Sequence, residues 1–172
     1  MTGSPAASDA DVRTHQAGAL RERIYVAFTA LAVIITLRVH DAHPSTNGAL
    51  STLAVAVAST VCAVYLADLL SHMSVHAHLP AHPEHRRMVA STLGAGAVAM
   101  PPLGCIALAG TGIYDTSTGL LLAMVLTVAT LTTIGVMAVR RLDLPRGHRI
   151  VILAAEALIG VVVLALGLLA HR

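Results

Sequence analysis

Five apolar stretches, at approximately 24–37, 49–70, 88–113, 118–139 and 150–170, fill residues 24–170, and almost every charge sits in the gaps between them. A hydrocarbon core about 30 Å thick is crossed by about 20 apolar helical residues. The alternation therefore fits a lipid bilayer, not water. A soluble helical protein would carry a charged face along each helix, whereas stretches two to five are apolar all round. Charged residues make up 12% of the chain, against about 25% in soluble domains. Barrel strands alternate apolar and polar residues over about 10 positions, and these runs are longer and continuous. Helices also satisfy their own backbone hydrogen bonds where lipid cannot. The expected fold is all-α: a polytopic membrane protein with five transmembrane helices. Residues 20–172 form one transmembrane domain, preceded by a disordered polar tail over 1–19.

The arginines orient that domain. With five crossings the N-terminus, the 71–87 gap and the 140–149 gap share one side. They carry Arg13, Arg21, Arg23, Arg86, Arg87, Arg140, Arg141, Arg146 and Arg149, while Arg38 and Arg172 lie on the other side. Nine against two places the first side in the cytoplasm by the positive-inside rule. The N-terminus is then inside and the C-terminus outside a cell membrane. Residues 1–19 hold Asp9 and Asp11 before the first basic residue, Arg13, so they do not read as a cleavable signal peptide.

The net charge of +2 comes from arginines spread along the chain, which excludes a nucleic-acid surface. There is no lysine, and alanine is abundant, a pattern of GC-rich bacterial genomes that carries no function. Cys62 and Cys105 fall inside apolar stretches and read as small buried hydrophobes.

Individual helices add detail. Fourteen residues separate Arg23 from Arg38, a rise of about 21 Å, and both arginines can snorkel to the headgroups. Glu22 reads as part of a local Arg21–Glu22–Arg23 cluster at the inner boundary. The third stretch contains Pro101 and Pro102, which remove two backbone donors and predict a helix break. Broken helices serve ion sites in transporters, although kinks are also common without one. The threonines of the fourth stretch can bond their own backbone. Glu156 lies seven residues past Arg149, about 10 Å into the bilayer. An acid there is a candidate for proton or ion coupling; a pair with Arg146 or Arg149 is the plain alternative.

The second stretch ends with Asp68, His72 and His76, followed by His78, His82 and His85. Spacings of four and four put the first three side chains along one helical stripe. Imidazole and carboxylate together suit a divalent metal ion such as Zn, Fe, Mn or Ni, or a proton relay. The alternative is a solvated, His-rich cytoplasmic loop over 71–87 that touches headgroups. Asp68, Glu156 and Glu22 all fall towards the inner face, so one cytoplasm-facing site fits better than a through-channel.

Leu20-Arg21-Glu22-Arg23, Ser59 through Tyr65-Leu66, Met100-Pro101-Pro102-Leu103 and Arg140-Arg141 together resemble the vacuolar iron transporter family. That resemblance implies five helices, a cytoplasmic N-terminus, a metal-binding segment between helices two and three, and a dimer. The chain departs from the family at Thr29-Ala30, where the family has Asp-Gly, and at Thr60 and Val64, where it has Met and Glu. A short His-rich loop replaces the family's metal-binding domain. No iron-translocation residue carries over.

The resulting expectation is a transporter-like membrane protein with a cytoplasm-facing site for a divalent metal ion or a proton. Asp68, His72 and His76 are the metal candidates, and Glu156 and Asp68 the coupling candidates. The alternative is a non-catalytic scaffold or subunit acting through helix packing, as a homodimer or with another membrane subunit. An enzyme or haem protein ranks last, because no Ser–His or Cys–His pair lies within the apolar stretches.

Overall fold

A computed structural model describes residues 5–40, 44–140 and 154. Among these residues five α-helices follow one another: α1 (Pro5–His40), α2 (Thr46–His76), α3 (His82–Gly96), α4 (Met100–Ala109) and α5 (Thr116–Arg140), with a 3₁₀ turn at Ala97–Ala99 joining α3 to α4. Among the described residues four stretches are long and apolar enough to cross a membrane: Ala17–His40, Thr46–His76, His82–Ala109 and Thr116–Ala138. They contain the first four expected crossings almost entirely; only 110–113 and Val139 fall beyond them. The fifth, 150–170, lies outside the described residues, as do Glu156, Arg146 and Arg149.

The first helix is longer than its apolar run. It starts at Pro5, so the backbone of the polar residues expected as a disordered tail continues α1. Proline suits the first helical position, where its missing N–H would be spare, and Ala6, Ala7 and Ala10 favour helix intrinsically.

Local chemistry places the other boundaries. Ser45 caps α2 with its hydroxyl, which accepts from the Gly48 N–H at 3.2 Å. Ala77 closes that helix in the left-handed region, φ 55°, and its N–H bonds Met73 O. Glu84 turns back to accept from the Ala81 N–H at 3.1 Å, securing the start of α3. In the third crossing, Pro101 and Pro102 stand at the first positions of α4, straight after the 3₁₀ turn. There the absent donors cost least. Asp115 starts α5: its carboxylate accepts from the Thr118 N–H at 3.1 Å and from the Thr118 hydroxyl at 2.6 Å.

The helices pack around α1. Val26, Ala30 and Ile34 meet Ala49, Leu53 and Val57 of α2, Ala95 of α3, Ala99 of the 3₁₀ turn, Ile106 of α4, and Leu120 and Ala123 of α5. The adjoining stripe of Ala27, Leu31 and Ile35 meets Leu131. Thr127, buried on α5, donates to Ala123 O at 2.7 Å, which meets its polar need locally. The bundle's outer surface is apolar: Val55, Leu66, Leu70, Val125 and Met137 are exposed, as suits contact with lipid. Cys62 belongs to that outer surface and Cys105 is half-buried; both are free. Both lie within candidate crossings, as expected of small hydrophobes in apolar stretches.

α4 and α5 pack closely next to the turn that joins them. A Cβ added at Gly119 would stand 3.1 Å from Ala109 Cβ and Tyr114 Cε2, and 3.2 Å from Cys105 O. Tyr114 donates its hydroxyl to the same carbonyl at 2.6 Å. Gly119→Leu is therefore expected to cost about 1–3 kcal/mol by overpacking, read as a lowered thermal midpoint in detergent. The Thr118 hydrogen bonds hold the Asp115 carboxyl below its ordinary pKa. Its cap is then complete above about pH 4 and is lost as pH falls through the depressed value. Amide exchange at the start of α5 should rise below that pH in the wild type and stay level in Asp115→Asn.

Candidate functional site

The N-terminal half of α1, the end of α2 and the start of α3 meet at one end of the bundle, and their ionisable groups gather there. Glu22 is 4% exposed, deeply buried for a carboxylate. It sits one and two turns before Val26 and Ala30, so the helical period that builds the core stripe carries Glu22 into it. Ser91 of α3 donates its hydroxyl to Glu22 Oε2 at 3.1 Å. From α2, Asp68 lies beside Glu22. Arg21 Nη2 approaches Asp68 Oδ1 at 4.0 Å from a side chain that is 63% exposed, so this pair contributes little. Three helices are thus joined through Glu22.

One turn further along α2 a second set begins. His72 Nε2 lies 3.8 Å from Glu84 Oε2 of α3 and is buried without a hydrogen-bond partner. The His72 and His76 rings are 4.6 Å apart. The left-handed turn at Ala77 brings His78 back until its ring is 5.7 Å from each of them. Tyr65 meets His85 edge-on, with ring centroids 5.8 Å apart.

The stripe of Asp68, His72 and His76 is therefore divided. Asp68 faces α1, through Glu22 and Arg21, while His72 faces His76 and Glu84. Among the described residues no group of three or more His, Cys, Asp or Glu side chains is arranged to hold a metal ion. Glu156 lies outside the described residues, so its relation to Asp68 is not seen. Sequence reasoning placed Glu22 in a local charge cluster at the inner boundary and missed its burial between the helices. Its register with Val26 and Ala30 was the available signal.

Residues 11–144 match the family model of the mechanosensitive ion channel inner membrane domain 1. The chain belongs to that family. The match spans all four described crossings, so this is a multi-pass membrane protein related to ion channels. It overturns the resemblance to vacuolar iron transporters. The matches behind that resemblance were arginine-flanked helix ends and a proline pair, which many helical membrane proteins share for physical reasons. No curated protein and no solved structure shows a significant match to the chain.

Removing Ser91's hydroxyl leaves one side of Glu22 without its donor. Ser91→Ala should cost about 0.5–2 kcal/mol, the range for hydrogen bonds between membrane helices, and Glu22→Ala at least as much. Arg21→Ala should change little. Thermal unfolding in detergent checks the order, and an Arg21 effect exceeding that of Glu22 would contradict the site.

Proposed function

We propose that the chain is a force-bearing membrane module of a mechanosensitive ion channel, acting through helix packing and lipid contact. The family match over 11–144 carries this reading. The interior of the described bundle supports it: Ala30, Ile34, Leu53, Ile106 and Leu120 fill the space between the helices, and the polar groups gather at one end. Such a bundle transmits strain between its lipid-facing surface and whatever it joins, and ion conduction belongs to the assembly that contains it. The role is non-enzymatic, and the assembly partner is a second copy or another channel subunit.

In this reading residues 20–172 cross a cell membrane five times, with 150–170 as the last crossing, the N-terminus cytoplasmic and the C-terminus outside. The arginine asymmetry supports that orientation. The polar end then faces the cytoplasm. Glu22 and Asp68 form a protonatable pair there and couple the packing of α1, α2 and α3 to cytoplasmic pH. A proton suits this pair better than a divalent metal, because Asp68 is turned away from His72 and His76.

Expression in a host lacking its own mechanosensitive channels is expected to yield tension-evoked currents in patches and improved survival of hypo-osmotic shock. Unchanged currents and survival would overturn the channel reading. The tension threshold should vary with cytoplasmic pH in the wild type and not in the Glu22→Gln/Asp68→Asn double variant. In a cysteine-free background, Asn47→Cys should react with an impermeant thiol reagent on intact cells. His78→Cys should react only after permeabilisation, and the reverse pattern would invert the topology.

A further inference from the structure

One face of the third crossing carries cations without counter-ions above an apolar furrow. His82, Pro83, Arg86, Arg87 and Ala90 line a groove on the outward side of α3. Arg86 and Arg87 are exposed, and among the described residues neither they nor Arg23 stands within ion-pairing distance of a carboxylate; the pairs formed there are Arg21–Asp68 and His72–Glu84. Arg23 approaches α3 from α1: its Nη2 lies 3.9 Å from where a Cβ on Gly94 would stand, about two turns along the helix from Arg86 and Arg87. Away from the arginines the stripe continues at helical spacing through Ala90 and Leu93, across the 3₁₀ turn, to Met100. Leu93 is 64% exposed and Met100 65%. From Arg86 to Met100 the stripe runs about 20 Å. The spacing puts a cationic head and an apolar strip on one face of one membrane crossing.

We propose that this face seats one anionic phospholipid, its phosphate on Arg86 and Arg87 with Arg23 alongside, and an acyl chain along Ala90, Leu93 and Met100. Guanidinium groups bind phosphate oxygens through paired N–H donors, and unpaired arginines at a membrane boundary favour anionic lipid over zwitterionic lipid. Charge complementarity selects the headgroup. The apolar strip selects a lipid over a free phosphate, which would gain nothing from Leu93 or Met100. The proposal rests on α3 and α4 crossing the membrane and is independent of the channel reading.

The full chain, purified in mild detergent and supplied with phosphatidylglycerol and phosphatidylcholine of matched acyl chains, is examined by native mass spectrometry. One phosphatidylglycerol should be retained about ten-fold over phosphatidylcholine, and each arginine removed should lower that preference. Arg86→Gln/Arg87→Gln should bring the two lipids to parity. Arg23→Gln should lower the preference several-fold, and Arg38→Gln, an exposed arginine at the other end of α1, should leave it intact. Ala90→Trp, which blocks the furrow, should reduce retention of both lipids. Parity in the wild type, or an unchanged preference in the double variant, would overturn the proposal. So would displacement of the lipid by glycerol phosphate at the lipid's own concentration, which would mark a free-phosphate site. Loss of lipid preference with tension-evoked currents intact would confirm the seat and separate it from the channel reading.

Discussion

Inside a bilayer no water replaces a missing backbone hydrogen bond, and among the described residues the departures from helix are met by caps, a turn and prolines placed where that penalty is small. The α2 and α5 starts are capped by Ser45 and Asp115, and the end of α2 by the left-handed Ala77. Within the third crossing the ladder does break, and there the chain uses a 3₁₀ turn followed by two prolines at the head of a new helix. Pro102 and Ala99 are buried at that joint, so neighbouring helices cover it from lipid on one side.

The same solvent argument explains the polar end. A carboxylate cannot sit in the core of an apolar bundle without partners, yet the period of α1 carries Glu22 to the core stripe. Ser91 and Asp68 meet it from two other helices, so the residue least compatible with lipid becomes the point at which three helices are tied together. The histidines lie one turn further out, where they meet one another and one nearby carboxylate. The division between these two sets follows from direction: Asp68 and His72, one turn apart on α2, meet different neighbours, α1 and α3.

Much of the architecture was legible in the residues. Long apolar runs located the four described crossings, because hydropathy and the cost of burying charge are local properties, but the helices run past them, α1 as far back as Pro5. The Pro101-Pro102 pair announced the break for the same reason. The site was only partly legible. Asp68 stood out by its depth, and the His72–His76 spacing was correctly helical, but periodicity states only that side chains share a stripe. It cannot say that Asp68 is claimed by Glu22 and Arg21 and so withdrawn from the imidazoles. Family membership was misjudged because layout, arginine flanks and a proline pair follow from membrane physics common to many families.

The sequence by itself determined that the chain belongs in a membrane and that its crossings are helical, since each follows from the free energy of single residues in lipid. Tertiary structure alone decided which polar groups meet. Glu22, flanked by two arginines, looked like a surface charge until α2 and α3 closed over it. Arg23, Arg86 and Arg87 looked like boundary markers until their common face, without a counter-ion, became visible. Contacts between residues distant in sequence depend on how helices pack, and that is set by shape across the whole bundle.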